Sequence, residues 1–189
     1  AFNEQAPDLD GATGEGIIDY ARNRTSVNIQ VPSLIFQGKE IGNLAVRFVA
    51  DSTEVHSEVM ADSLILDSRV LHQIQLTTDR DGLPYTFGIR IADTYPYGTH
   101  VKGSIQVDST GYSVRLLNDS MVFTNRLWDI SEANFLRFDS TQLAVQDLRL
   151  TSNGRTIEVK DYRNRGIILH LQDLDIGKIN QVLNYDKVK

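Results

Sequence analysis

Apolar and polar residues alternate along most of the chain, most regularly in QLAVQDLRLTSNGRTIEVKDY, residues 142–162. Side chains along a strand point alternately to opposite faces, so this pattern predicts a sheet with one dry and one wet face. Arg149, Glu158 and Lys160 fall on the wet face. Asn153-Gly154, between the two runs, is the strongest short signal of a hairpin turn, so we predict a β-hairpin here. Its dry face is predicted to carry Val145, Leu148, Leu150, Ile157 and Val159.

Similar alternating runs follow one another from Ile17 to Leu171. They predict about fourteen strands, at the spacing of about 8 to 12 residues that is typical of consecutive hairpins. Residues 1–16 are polar and glycine-rich and are predicted to be a flexible N-terminal segment, followed by a single β-rich domain over 17–189. One late segment favours a short helix, with Asp175 as its N-cap and an apolar face of Ile176, Ile179, Val182 and Leu183. The predicted fold class is therefore all-β, with a short helix near the C-terminus.

Two architectures fit this pattern, and the pattern alone favours the second. Each predicted strand contributes a similar narrow apolar stripe, which suits a long curved sheet whose inner face forms a continuous channel. It also suits a sandwich or solenoid with a closed core. Periodicity alone does not exclude either of them.

Composition excludes several classes of function. The chain has 189 residues, with 19 basic and 25 acidic side chains and a net charge of −6, which argues against a nucleic-acid partner. It contains no cysteine, so disulfides and thiolate zinc sites are excluded. No apolar run approaches the roughly 20 residues that a membrane-spanning helix needs. We expect the chain to be a fragment of a longer protein.

No catalytic or metal-binding pattern emerges from the spacing. The sequence Asp108-Ser-Thr-Gly111 lacks the glycine two residues after the aspartate that an aspartic-protease loop needs, so we predict a hairpin turn. Asp79 and Asp81 resemble a calcium loop only in part, because Gly88 occupies the position that requires a bidentate acid. The histidines are far apart and none has a second ligand at metal spacing: they are His56, His72, His100 and His170. We therefore expect no enzyme activity, no metal and no cofactor.

Two stretches, and more loosely a third, resemble a known family. MVFTNRLWDISEANFLRFDSTQLAVQDLRLTSNGRTIEV, residues 121–159, resembles a repeat near the C-terminal part of the TamB/AsmA-like family from Bacteroidetes. The resemblance includes a W-x-I motif at Trp128 and Ile130, a polar link with Asn134, and the later alternating strands. LHLQDLDIGKINQVL, residues 169–183, is similar to the strand and short helix that follow that repeat, and VPSLIFQGKEIGNLAVRF, residues 31–48, to a looser upstream motif.

The resemblance implies a role in the envelope of a Gram-negative bacterium. Family members are anchored in the inner membrane and cross the periplasm as a long curved sheet, a half-pipe or β-taco with an apolar concave face. They are thought to conduct phospholipid acyl chains toward the outer membrane or to aid outer-membrane assembly, and some work with a TamA-type outer-membrane barrel. The chain would be one section of that sheet, anchored through parts that it does not contain.

A lipid-binding groove is the site that this interpretation predicts. If the alternation stays in phase around the turns, one face carries the apolar residues of the groove, although a bulge can change the phase of a strand. The step from Val145 to Leu148 already requires such a slip. The predicted groove residues are Val46, Phe48, Phe87, Ile89, Ile105, Val107, Val114, Leu116, Val145, Leu148, Leu150, Ile157, Val159, Leu169 and Leu171.

The alternative function is a β-rich surface module that binds a carbohydrate or a protein. Such a module would close its core and bind through exposed aromatic residues in loops. Tyr95-Pro96-Tyr97 is the best candidate for such a loop, although the same segment is also typical of a plain turn.

Overall fold

The structure is a computed structural model that describes residues 11–36, 38–66, 69–81, 84–93, 98–119, 121–139, 143–162 and 166–174. These residues form sixteen β-strands and no helix, which confirms the all-β fold class and the consecutive antiparallel hairpins. The predicted helix at 175–183 and the Tyr-Pro-Tyr segment lie outside the described residues. The chain forms two compact units, residues 1–93 and 94–189, and each is described by itself.

Unit 1 is an antiparallel meander of six strands, each paired with the next along the chain. The strands are β1 (Thr13–Asp19), β2 (Arg24–Phe36), β3 (Lys39–Ala50), β4 (Glu54–Leu66), β5 (Arg69–Asp81) and β6 (Tyr85–Ile91). β1 begins at Thr13 and thus includes the last four residues of the predicted flexible segment. Its Glu15 pairs with Asn28 of β2, and the Asn28 amide donates a hydrogen bond to the Glu15 carboxylate at 3.3 Å.

Strands β2 to β5 are longer than the alternating runs suggested, because each continues through an interruption. β2 continues through Pro32, although a proline usually interrupts a strand. Each ladder between these strands skips a pair at the level of Pro32, Asn43, Asp62 and Gln73, and between β3 and β4 the next pair is skipped as well. A proline, which has no N–H to donate, is tolerated at such a position. We call these four residues the interrupted row.

Unit 2 contains two sheets. In the first, β7 (Thr99–Asp108), β8 (Gly111–Leu116), β12 (Phe135–Asp139) and β13 (Leu143–Gln146) are neighbours in that order, and the short strands β9 (Val122–Phe123) and β10 (Arg126–Leu127) extend it at β7. The second has the order β11 (Asp129–Ile130), β14 (Leu148–Ser152), β15 (Arg155–Asp161) and β16 (Ile167–Gln172). The predicted Asn-Gly hairpin joins β14 to β15, with Asn153 at φ 46° and Gly154 at φ 80°. Positive φ at both central residues is what a type I′ turn requires.

The described hydrophobic core lies in unit 2. Met121, Trp128, Ile130, Leu148 and Leu150 are buried together. Trp128 is anchored because its indole N–H donates to the carbonyl of Phe123 at 3.0 Å and its backbone N–H donates to that of Met121 at 2.9 Å. The tryptophan of the W-x-I motif is thus the centre of a closed core.

Asn134 joins this core to the first sheet. Its side chain is almost fully buried, with a relative exposure of 1%. Its Oδ1 accepts from the N–H of Leu116 at 2.9 Å, and its Nδ2 donates to the carbonyls of Leu116 at 2.8 Å and Ser131 at 2.6 Å. The amide therefore pairs with the backbone of β8 as another strand would, which satisfies polar groups that burial would otherwise leave unpaired.

Candidate functional site

The candidate site is one face of the sheet in unit 1. In an antiparallel pair, directly opposite residues project from the same face, so the pairing identifies its members. Two rows run across β2 to β6: Ile29–Val46–Val59–Leu76–Ile89 and Val27–Phe48–Ser57–Thr78–Phe87. We call these ten residues the apolar face. Each row extends about 19 Å, because neighbouring strands lie about 4.8 Å apart.

The two polar residues of the apolar face satisfy each other. Ser57 and Thr78 are directly opposite, and their hydroxyl oxygens are 2.6 Å apart, within hydrogen-bonding distance. Neither row contains a charged residue. The face therefore offers a ligand mainly hydrocarbon contact.

The opposite face of the same sheet is polar. Arg47 and Glu58 are opposite each other, and Gln75 donates a hydrogen bond to the Glu58 carboxylate at 2.7 Å. His56 Nδ1 lies 2.5 Å from the Asp79 carboxylate in the next row. This face, which we call the polar face, also carries the exposed apolar side chain of Met60.

Unit 1 has little buried interior of its own. Its strands pack mainly against their neighbours in the sheet, and among its described residues only Val31 and Ala61 are buried hydrophobics. On the apolar face, Ile29, Leu76 and Ile89 are exposed within a single row. Contiguous apolar surface of this kind marks an interaction site more often than scattered single residues do.

The interrupted row bounds the apolar face on one side. Asn43 and Gln73 have φ of 50° and 51°, and the Asn43 amide donates to the Asp62 carboxylate at 2.8 Å. Beyond this row the apolar positions change phase in four strands at once, to Leu34, Ile41, Leu64 and Leu71. The sequence pattern allows such a phase change in any individual strand. The structure instead has it at one level across the sheet, where left-handed residues interrupt the regular alternation.

The structure brings the predicted groove residues together in two separate groups. Val46, Phe48, Phe87 and Ile89 all lie on the apolar face of unit 1. Sequence reasoning omitted Ile29, Val59 and Leu76 from this group, although their alternating positions were visible; the missing information was the pairing register.

The other predicted groove residues lie in unit 2, on one face of each of its two sheets. Ile105, Val107, Val114 and Val145 belong to paired rows of the first sheet, and Leu116 is opposite Gly103. In the second sheet, Leu150–Ile157–Leu171 and Leu148–Val159–Leu169 are paired rows. Leu116, Val145, Ile157 and Val159 pack against the buried core that contains Leu148 and Leu150. These positions therefore form a closed core, whereas Val107, Leu169 and Leu171 are exposed.

The slip expected between Val145 and Leu148 coincides with a change of sheet. Val145 lies in β13 of the first sheet and Leu148 in β14 of the second. Asp147, between them, has φ 44°. A left-handed residue at this point lets consecutive apolar side chains serve two different sheets.

The side chains with shifted pKa values lie outside the apolar face. Arg137 donates to both carboxylate oxygens of Asp108, at 2.9 and 3.2 Å, and to the hydroxyl of Thr110 at 2.6 Å. With further hydrogen bonds from Thr110, this arrangement holds the pKa of Asp108 well below its usual range. The predicted turn at 108–111 indeed joins β7 to β8. The ion pair links this turn to β12, the strand that carries Arg137.

No cluster of three or more potential metal ligands occurs among the residues that the structure describes. Within the same residues, no helix has both the length and the apolar character needed to span a bilayer. Comparison of the chain with protein-family models, curated proteins and solved structures found no match.

Proposed function

We propose that the chain is a section of an envelope scaffold that shields the acyl chains of phospholipids on the apolar face of unit 1. The observation that carries the proposal is the row Ile29–Val46–Val59–Leu76–Ile89, a continuous apolar stripe in which three side chains are exposed. Covering such a stripe with hydrocarbon is favourable by roughly 25 cal/mol per Å² of apolar surface removed from water.

The chemistry of the two faces favours an acyl chain over a polar ligand. An acyl chain makes no hydrogen bonds, and the hydroxyls of Ser57 and Thr78 already have each other as partners. The charged residues of the central rows, such as Arg47 and Glu58, project from the polar face. A carbohydrate would require polar groups converging on it, and the rows of the apolar face supply none beyond the Ser57–Thr78 pair.

The resemblance to TamB/AsmA-like proteins supplies the cellular setting of the proposal. In that setting the full-length protein is anchored in the inner membrane, lies in the periplasm of a Gram-negative bacterium, and passes phospholipids toward the outer membrane or aids its assembly. A TamA-type outer-membrane barrel is the proposed protein partner.

One observation favours the alternative function for unit 2. Its core around Trp128 is closed, as expected of a compact β-rich module that binds a carbohydrate or a protein through its surface. Tyr112 and Phe138 form a stacked aromatic pair with ring centroids 5.0 Å apart, and Tyr112 is exposed. Binding of a glycan or protein that Tyr112→Ala abolishes would support this alternative.

A matched pair of substitutions tests the lipid proposal. Leu76 and Met60 are similarly exposed, at 42% and 41%, and lie on adjacent strands but on opposite faces. Leu76→Asp places a charge on the apolar face, whereas Met60→Asp places the same charge on the polar face. We expect phospholipid binding, measured with a fluorescent acyl-chain analogue, to fall at least about tenfold in Leu76→Asp and to stay near the parent value in Met60→Asp. Equal binding by all three proteins would refute the proposal.

A further inference from the structure

Strand β16 ends the second sheet of unit 2 with an unusually apolar edge. Its sequence is IILHLQ, and within the described residues β15 is its partner on one side while no strand pairs with it on the other. All six residues are exposed, including Ile167, Ile168, Leu169 and Leu171. An open edge leaves a row of backbone N–H and C=O groups available to another strand.

The edge has none of the features that usually prevent strand addition. Proteins protect such edges with charged side chains, proline or bulges. β16 contains no proline, glycine, lysine, arginine or acidic residue. By contrast, β1, which ends the sheet of unit 1, carries Glu15 and Asp19 and two glycines. β1 also exposes Ile17 and Ile18, so what distinguishes β16 is the lack of charged residues and glycines beside its exposed apolar side chains.

We propose that a second copy of this chain adds to β16, antiparallel and centred on Leu169. In this register, Leu169 is opposite its own counterpart and Ile167 is opposite Leu171, so all three pairs on that face are apolar. Leu169 already pairs with Val159, which pairs with Leu148. An apolar row would thus run without a break from Leu148 of one copy to Leu148 of the other. A strand whose apolar residues match their own mirror order is suited to an isologous two-fold interface.

The other face of β16 is also compatible with a second copy. There, His170 of one copy would lie opposite Ile168 of the other. His170 is paired with Glu158, and Ile168 with Lys160. Each row across the interface would therefore run Arg149–Glu158–His170 in one copy and Ile168–Lys160 in the other. No two like charges would lie directly opposite each other at the junction, which matters for identical copies of a chain with net charge −6.

The interface would be small, because only one six-residue strand from each copy takes part. Interfaces below about 1,200 Å² are usually weak, so we expect dissociation in the micromolar range. The proposal does not depend on lipid binding by unit 1, and its test contains no lipid.

Disulfide trapping tests the partner and the register together, because the chain has no cysteine. Directly opposite Cβ atoms in an antiparallel pair lie about 4.5 to 5.5 Å apart, close to the span of a disulfide, whereas diagonal neighbours are too distant. Leu169→Cys should therefore give several-fold more disulfide-linked dimer than Ile168→Cys. The matched control is Ile18→Cys on β1, because Ile18 is 61% exposed and Leu169 is 56% exposed. If Leu169→Cys gives no more disulfide-linked dimer than the Ile18→Cys control, the proposal is wrong. If Ile168→Cys gives more dimer than Leu169→Cys, the proposed register is wrong.

Sedimentation equilibrium of the cysteine-free chain gives a second measurement. We expect a monomer–dimer equilibrium that Leu169→Lys shifts to monomer and that Ile18→Lys leaves unchanged, with unaltered Trp128 fluorescence showing that unit 2 stays folded. A parent chain that is monomeric at about 100 µM would refute the proposal. The proposal would also be refuted if Leu169→Cys is monomeric and its thiol resists alkylation. The thiol would then be covered within one copy, with residues 175–189 as the occupant of this surface.

Discussion

Replacing Leu116 with aspartate distinguishes a closed core from an open apolar wall. Leu116 is half-buried and packs against the core around Trp128. Its substitution removes part of the roughly 1.5 to 3 kcal/mol that burial of a leucine contributes. It also brings a carboxylate to a place where an unpaired charge costs several kcal/mol. We expect a total loss of about 4 kcal/mol, a large fraction of the roughly 5 to 15 kcal/mol that stabilises a typical domain.

Phe48→Asp is the comparison, because Phe48 belongs to the single-layer sheet of unit 1. A carboxylate on the apolar face can reach water, so we expect a smaller loss, about 1 to 2 kcal/mol of apolar contact. Urea unfolding followed by tryptophan fluorescence reports on unit 2 alone, since Trp128 is the single tryptophan of the chain. The urea midpoint reported by Trp128 should fall by about 2 M in Leu116→Asp. It should remain near the parent value in Phe48→Asp, because the smaller loss in that variant falls in unit 1. A Leu116→Asp midpoint equal to that of the parent would refute the closed core.

Three further predictions concern the framework of unit 2. Asn134→Ala leaves the N–H and carbonyl of Leu116 and the carbonyl of Ser131 unpaired, so we expect the free energy of unfolding in urea to fall by about 3 to 5 kcal/mol. The control Asn118→Ala removes one 3.3 Å acceptor for the N–H of Ile130 and should lower it by about 1 kcal/mol. Equal losses in the two variants would contradict the role of Asn134. Because hydrogen bonds from Arg137 and Thr110 lower the pKa of Asp108 below its ordinary 3.8, its contribution to stability is present above that pH and is lost as the pH falls through the folded-state pKa; Asp108→Asn should therefore flatten the acid side of the stability profile, and an unchanged profile would contradict the assignment. Gly111→Ala would place a methyl group against the carbonyl oxygen of Phe138, closer than van der Waals contact allows, so we expect weaker pairing of β8 with β12, measured as faster amide exchange there; unchanged exchange would contradict this steric clash.

Local structure was predictable because it depends on neighbouring residues. The alternation around Asn153-Gly154 predicted the β14–β15 hairpin, and the turn at 108–111 joins β7 to β8. The shared face of Val46, Phe48, Phe87 and Ile89 also followed, because their strands keep one register and one phase.

The interrupted row and the second sheet were not predictable from alternation. Asn43 and Gln73 change the phase of their strands through left-handed backbone, and glutamine gives no sequence signal for that conformation. Likewise, alternation cannot show that Val145 and Leu148 belong to different sheets, because this depends on the left-handed Asp147 and on packing around Trp128. The sequence marks Asn134 only as a polar link. Two of its three backbone partners belong to Leu116, 18 residues earlier, and local sequence does not show that the two residues meet.

Photo-crosslinking in cells that express the protein tests the central claim most directly. A benzophenone side chain at position 76 would project from the apolar face, and one at position 60 from the polar face of the same sheet. If the apolar face shields acyl chains, mass spectrometry should detect phospholipid adducts at position 76 and few or none at position 60. Absence of phospholipid adducts at position 76, or equal amounts at both positions, would contradict a lipid-shielding function.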